Sequence, residues 1–168
     1  MREVKLTIDG KEVPLTDEQV KLLGIEIEEK RKNPFDRVGL YSDYHFINSS
    51  NLIETSTNTN DCVDNNRYNA ANYFNDEQFA NQVALHQLLY RKLLKFTYDN
   101  NCVDTAKWRR YDKHWFIYYD WDTKEVNLGL ANVEQHFSTV YFSTIQAAYQ
   151  AIKEVVEPFM KEHPEFVL

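Results

Sequence analysis

An aromatic strand pattern occurs twice in this chain, and this repetition constrains the fold more than any other feature of the sequence. The first copy is Tyr-His-Phe-Ile-Asn at residues 44–48, and the second is Trp-Phe-Ile-Tyr-Tyr at residues 115–119. Each copy is followed, after a polar stretch, by a Tyr-Phe pair that leads into a helix start, at Tyr73-Phe74 and at Tyr141-Phe142. A strand–strand–helix unit that recurs in the same order indicates an internal repeat.

The repeat predicts an α+β fold. Two strand-rich units, at about residues 38–100 and 106–165, each form an antiparallel ββ or βββ arrangement closed by a helix that packs on it. Because equivalent positions carry aromatic residues, we expect those side chains to anchor the core. They are Phe46, Tyr73, Phe74, Phe116, Tyr141 and Phe142.

The N-terminal segment predicts a small ββα unit. Alternating apolar residues flank an Asp9-Gly10 turn, which is a strong hairpin signal. Thr16 and Gln19 match a helix capping box, and Gly24 suits a left-handed C-terminal cap. The predicted organisation is therefore an N-terminal ββα appendage at 1–24, a charged linker at 25–36 and an α+β body at 37–168.

Within the first repeat we expect a strand at 38–41, a turn near Ser42-Asp43 and the aromatic strand. Residues 48–72 are rich in Asn, Ser, Thr and Asp, which favours a long polar loop with one weak strand at Leu52-Ile53. A long helix capped by Asn75 should follow and end near Asp99. His86 falls on its apolar stripe, so we expect a partly buried histidine.

In the second repeat, residues 115–119 and 126–130 should pair as a hairpin, with a third strand through residues 137–142. Ser143 is the expected cap of the last helix, in a capping box with Gln146. Pro158 should bend or restart that helix, because proline removes a backbone donor and clashes with the preceding turn. Its buried stripe should consist of Ala148, Ile152, Val155 and Phe159.

Charge and cysteine usage bound the class of protein. The formal net charge is −7, which disfavours indiscriminate attraction to nucleic acid or anionic lipid. The start of the chain lacks the apolar run of a signal peptide, and no stretch approaches the length of a membrane span. We therefore expect a cytoplasmic protein, in which Cys62 and Cys102 are free thiols.

One segment has a composition suited to nucleic acid. Cations alternate with aromatic rings at residues 107–115, so charge could meet phosphates while rings stack on bases. Alternatively, the aromatic residues face inward along a strand while the cations extend outward to solvent. The candidate binding residues are Lys107, Trp108, Arg109, Arg110, Tyr111 and Lys113.

Other chemistry lacks a sequence signal. Asp120 and Asp122 could bind a cation, but two carboxylates are too few, and a turn stabilised by Asp explains the pair better. The five histidines show no metal-ligand spacing, and neither nucleophile elbows nor phosphate-binding loops occur. We therefore predict no catalytic residues, no metal and no cofactor, and a protein that is not an enzyme.

Several segments together resemble a known group of proteins. They are the Val-Lys-Leu-Thr-Ile-Asp-Gly opening, Asn-Pro-Phe-Asp-Arg at 33–37, Asn-Tyr-Phe at 72–74, and the closing run from Val-Tyr-Phe-Ser-Thr at 140–144 to Pro-Glu-Phe at 164–166. This pattern resembles small proteins without an assigned function, encoded by phages and prophages of Gram-positive bacteria. The resemblance implies an accessory phage protein that acts inside a bacterial cell.

Two functional hypotheses follow. The first is a non-catalytic phage accessory protein that binds a host macromolecule, a host protein or protein complex above all, and inhibits a bacterial defence system. The alternative is a nucleic-acid-binding factor in phage DNA metabolism that uses the segment at 107–113. Neither hypothesis involves a membrane, and neither fixes the oligomeric state.

Overall fold

The computed structural model describes residues 5–8, 11–16, 19, 22–23, 33–106, 108–109 and 111–166. Backbone contacts divide the chain into two units, Met1–Asn33 and Pro34–Leu168. The predicted boundaries at residues 24 and 36 differ from this division, and much of the predicted linker lies outside the described residues.

The first unit contains a hairpin of β1 (Lys5–Ile8) and β2 (Lys11–Pro14), in which Leu6 pairs with Val13. The predicted capping box is confirmed, because the Thr16 backbone N–H donates to Gln19 Oε1 and the Gln19 N–H donates to Thr16 Oγ1. The predicted Asp9-Gly10 turn and Gly24 cap lie outside the described residues.

The second unit is α+β, as the sequence predicts, and its strands form two antiparallel hairpins. Its elements are β3 (Asp43–Ile47), β4 (Ile53–Thr57), α1 (Cys62–Asn69), α2 (Glu77–Asp99), β5 (His114–Asp120), β6 (Glu125–Ala131), α3 (Ile145–Ala151), a π segment (Ile152–Val156) and α4 (Glu157–Glu162). Helix α2 contacts β3, β4, α3 and the π segment, so it lies between the two repeats.

The same backbone pairing recurs in both repeats. Phe74 forms an antiparallel bridge with His45 of β3, and Phe142 forms one with Trp115 of β5. The next residue after each bridging phenylalanine also pairs: the Asn75 N–H donates to Pro34 O, and the Ser143 N–H donates to Cys102 O. A hairpin, a bridging phenylalanine and a helix thus follow one another twice in the same register.

Both helices that follow a Tyr-Phe pair begin one residue later than the sequence suggests. Asp76, not Asn75, caps α2 by accepting from the Phe79 N–H, and Thr144, not Ser143, caps α3 by accepting from the Ala147 N–H. The predicted caps are wrong because Asn75 and Ser143 still belong to the paired bridge segments. Their backbones are extended by that pairing, and the helix starts only after it.

Three other predictions of secondary structure are wrong. Residues 38–41 are irregular, and Phe142 is the only residue of the predicted strand at 137–142 that pairs in the described structure. Residues 48–72 contain β4 and α1 instead of a long loop, although the predicted weak strand at Leu52-Ile53 overlaps the start of β4. Asp61 starts α1 through a capping box with Asp64. The prediction is wrong because Asn and Asp favour turns but can also cap a helix.

Buried residues form two core clusters, one that includes Phe96 and Phe142 and one that includes Tyr44 and Tyr73. The repeat aromatics are buried as predicted, except that Phe116 is only half-buried. His86 is exposed, which contradicts the prediction, because α2 buries the neighbouring stripe of Ala80, Ala84 and Leu85. In the last helix Val156 is buried while Val155 is only half-buried. The π segment before Pro158 adds a residue to one turn and so shifts the stripe.

Candidate functional site

The predicted basic and aromatic segment lies immediately before β5, not within a strand. Trp108 is half-buried: its ring stacks on His114 at a centroid distance of 3.8 Å and meets the edge of Tyr141 at 5.1 Å. Arg109, Tyr111 and Lys113 are exposed, and Lys107 and Arg110 lie outside the described residues. Because one face of the Trp108 ring is occupied by His114, only its other face could stack on a base.

His114 and Asp104 form a buried pair beside Trp108. Nδ1 of His114 lies 2.7 Å from Asp104 Oδ2, and the side chains are 1% and 6% exposed. His114 Nε2 is buried and has no hydrogen-bond partner in the part of the chain that the structure describes. A catalytic triad needs a hydroxyl or thiol at that nitrogen, so this pair has the arrangement of a structural hydrogen bond.

The first repeat places a polar network at the equivalent position. Tyr44 stacks on Tyr73 at 3.9 Å, as His114 lies beside Tyr141 in the second repeat. The Tyr44 hydroxyl donates to Asp64 Oδ1 at 2.7 Å and accepts from Arg67 Nη1 at 2.7 Å. Asp64 Oδ2 accepts from the Thr59 N–H at 2.7 Å, so the buried carboxylate is well hydrogen-bonded.

These environments shift pKa values in directions that oppose reactivity. The hydrogen bond from Tyr44 is the largest cause of a lowered Asp64 pKa, which keeps that carboxyl ionised. Burial raises the pKa of the Tyr73 hydroxyl, and burial also raises the pKa of the Cys102 thiol. Cys102 therefore stays a protonated, unreactive thiol at neutral pH.

Metal binding and thiol chemistry find no support in the described residues. Across residues 33–106 and 111–166 no three His, Cys, Asp or Glu side chains form a group that could hold a metal ion. The Asp120 carboxylate forms the predicted turn by accepting from the backbone N–H groups of Asp122 and Thr123, at 2.9 and 3.2 Å. Both cysteines are free, as predicted.

The turn between β5 and β6 presents an aromatic surface with an acidic rim. Trp121 is 65% exposed, and its ring is held edge-on against Tyr119 at 5.1 Å. Asp122 and Glu125 beside it are exposed. We call the four residues Asp120, Trp121, Asp122 and Glu125 the hairpin tip. A ring that is held in place and open to solvent can make contacts on binding without first being freed from the core.

Several clefts border α2. One, of about 590 Å³, lies in the first repeat and is lined largely by polar residues that include Asn48, Asn72 and Arg91. Arg91 donates to Asn51 there, so this guanidinium is already hydrogen-bonded. Another cleft, of about 260 Å³, lies in the second repeat between α2 and β5, and its walls combine apolar residues such as Leu93 and Phe142 with polar residues such as Ser138 and Thr139.

Sequence reasoning missed Asp104 and Asp64. A signal for Asp104 was present, because Asn-Pro-Phe-Asp at 33–36 is echoed by Asn-Cys-Val-Asp at 101–104, before the second hairpin. Asp64 left no such signal, because it becomes significant only through the unexpected helix α1. Trp121 has no distinguishing sequence signal, and its exposure is apparent only from the structure.

Comparison of the chain with protein-family models, with curated proteins and with solved structures finds no match. Within the described residues, every helix is too short or too polar to span a bilayer.

Proposed function

We propose that this chain is a non-catalytic accessory protein of phage or prophage origin that binds a host protein in the bacterial cytoplasm and inhibits a defence system. The observation that carries the proposal is the hairpin tip, where Trp121 is 65% exposed. Tryptophan and tyrosine are enriched among the residues that dominate binding energy at protein interfaces. An exposed Trp121 whose ring packs edge-on against Tyr119 therefore supports a contact surface.

The charge of the tip supports a protein partner with a basic surface. Asp120, Asp122 and Glu125 surround Trp121, while Lys124 is the one basic residue of this turn. Such a rim repels nucleic-acid phosphates and attracts basic side chains. The phage-like sequence pattern supplies the cellular context, and a defence protein is the target that this context favours.

A capture experiment tests the proposal. Tagged protein expressed in a Gram-positive host should retain a host protein, and Trp121→Ala should lose it, because interface tryptophans commonly contribute about 2 kcal/mol or more. Tyr149→Ala is the matched control, since Tyr149 is an exposed aromatic residue on α3. Equal capture by all three proteins would show that the tip is not the contact surface.

The nucleic-acid alternative has one favourable observation, which is the exposure of Arg109, Tyr111 and Lys113. It predicts DNA binding that weakens in the Arg109→Ala/Arg110→Ala variant, with a salt dependence lower by about two units of slope. The proposed function predicts no measurable affinity for single- or double-stranded DNA at physiological salt. Fluorescence anisotropy with labelled oligonucleotides distinguishes the two.

A further inference from the structure

In the first repeat a side chain occupies the place of a neighbouring strand. The Ile47 N–H donates to Asn72 Oδ1 at 2.8 Å, and Asn72 Nδ2 donates to Ile47 O at 2.8 Å. The amide of Asn72 thereby satisfies both backbone groups of Ile47 on the edge of β3 that faces away from β4. It imitates one residue of a paired strand, which offers the same donor and acceptor.

The second repeat lacks this side chain. In the first repeat, Asn72 lies two residues before Phe74, and Ile47 lies two residues after its bridge partner, His45. In the second repeat, Val140 lies two residues before Phe142, and Ile117 lies two residues after Trp115. Val140 therefore replaces Asn72, and its isopropyl group can form no hydrogen bond. In the described structure, no hydrogen bond from outside the β5–β6 ladder reaches the N–H or the C=O of Ile117.

The direction in which the Ile117 N–H and C=O point follows from the hydrogen-bond pattern of β5. The N–H and C=O of Trp115 both bond to Phe142, so these two groups point away from β6. Because backbone groups alternate along an antiparallel strand, those of Ile117 and Tyr119 point to the same side. The 260 Å³ cleft lies there, and Ile117, Val140 and Phe142 line it opposite Leu89 and Leu93 of α2.

We propose that this cleft binds an extended segment of a partner protein, which adds to the edge of β5 as a short strand. The backbone of one partner residue would pair with Ile117, as the Asn72 amide pairs with Ile47. The lining carries no carboxylate, lysine or arginine, and it offers Leu89, Leu93 and Val140 beside the polar groups of Ser138 and Thr139, so an uncharged partner side chain matches it. An extended backbone fits better than an amide side chain because Tyr119 offers a second pairing position.

This inference deepens the proposed function and rests on it in one respect, which is that the partner is a protein. The probe is acetyl-leucine methylamide, an uncharged residue with both backbone groups. Titration followed by amide NMR should shift the Ile117 signal, and acetyl-proline methylamide should bind about tenfold more weakly because it lacks one donor. Shifts at Thr55 of β4 or Leu128 of β6 in place of Ile117 would overturn the inference.

A substitution at Val140 should fill the pairing position beside Ile117 with a side chain of the protein itself. Val140→Asn should place an amide opposite Ile117, abolish the probe-induced shift and slow hydrogen exchange of the Ile117 amide to the rate of Ile47. Unaltered wild-type protein gives an independent readout, because its Ile117 amide should exchange faster than that of Ile47. Equal protection of the two amides in free wild-type protein would show that the edge is not open.

The two proposals fail separately. Loss of the NMR response with retained, Trp121-dependent capture of a host protein would refute the strand-addition cleft alone. A clear NMR response without any Trp121-dependent capture would refute the role of the hairpin tip and leave the cleft in place.

Discussion

At the scale of single residues, the buried carboxyl of Asp64 links stability to pH. The hydrogen bond from Tyr44 is the main reason that its pKa in the folded protein lies below the ordinary value of 3.8. The folded state therefore binds the proton more weakly than the unfolded chain does. The stabilisation is fully present above the unfolded pKa and is lost as pH falls through the folded pKa.

We therefore expect Asp64→Asn to lower the free energy of unfolding at pH 7, and the difference from wild type to shrink below about pH 4. Urea denaturation between pH 7 and pH 3 measures this difference. Tyr44→Phe removes the main cause of the shift and should weaken the same pH dependence. A difference between Asp64→Asn and wild type that stays constant over this range would contradict the role of the carboxylate.

Gly129 is required by the ring of Phe116, its partner across the hairpin. A Cβ atom at Gly129 would lie 2.3 Å from Phe116 Cζ, whereas at Gly39 the nearest atom would be Ser42 Oγ at 3.6 Å. We expect Gly129→Ala to cost about 1–3 kcal/mol through overpacking. Chemical denaturation should show a clearly smaller cost for Gly39→Ala, and equal costs would mean that the ring moves aside freely.

The residue scale also shows where sequence reasoning succeeds and fails. The repeated aromatics and the Asp120 turn were predictable, because local pattern alone determines them. The stacking of Trp108 on His114 was not, because it depends on Asp104 and Tyr141, which reach the same place only after folding. A cation beside an aromatic ring in sequence does not indicate which ring face remains free.

At the scale of elements, the last helix depends on the buried stripe that crosses the π segment. Ile152 is buried at the start of that segment, as predicted, and Phe142 is fully buried. Ile152→Ala should therefore cost about 2–5 kcal/mol in chemical denaturation. Tyr149→Ala, on the exposed side of α3, should cost less than about 0.5 kcal/mol. A cost below about 1 kcal/mol for Ile152→Ala would show that this helix is peripheral.

Element boundaries were harder to predict than element types. Both helices that follow the Tyr-Phe pairs were foreseen, yet their caps lie one residue later because Asn75 and Ser143 are held in backbone pairing. Helix α1 was missed because its sequence, Cys-Val-Asp-Asn-Asn-Arg-Tyr-Asn, is poor in helix formers. Its capping box and the Asp64 network stabilise it in the fold, where propensity alone would not.

At the scale of the whole molecule, the duplicated unit is used differently in its two halves. The first repeat fills its β3 edge with Asn72 and surrounds Asp64 with hydrogen bonds. The second has Val140 in place of Asn72 and presents Trp121 at the turn of the β5–β6 hairpin. The sequence revealed the duplication, but this difference required the register that only the structure provides. We infer that the second repeat carries the contact surface.

The central claim, that the hairpin tip contacts a host protein, can be tested by placing a photo-crosslinking amino acid at position 123, which is exposed and leaves Trp121 in place, in protein produced inside bacterial cells. Irradiation should yield one defined adduct of increased mass that resists nuclease and is destroyed by protease. The same amino acid at position 149 should yield no such adduct. A nuclease-sensitive adduct at position 123, or indistinguishable products at the two positions, would contradict the account.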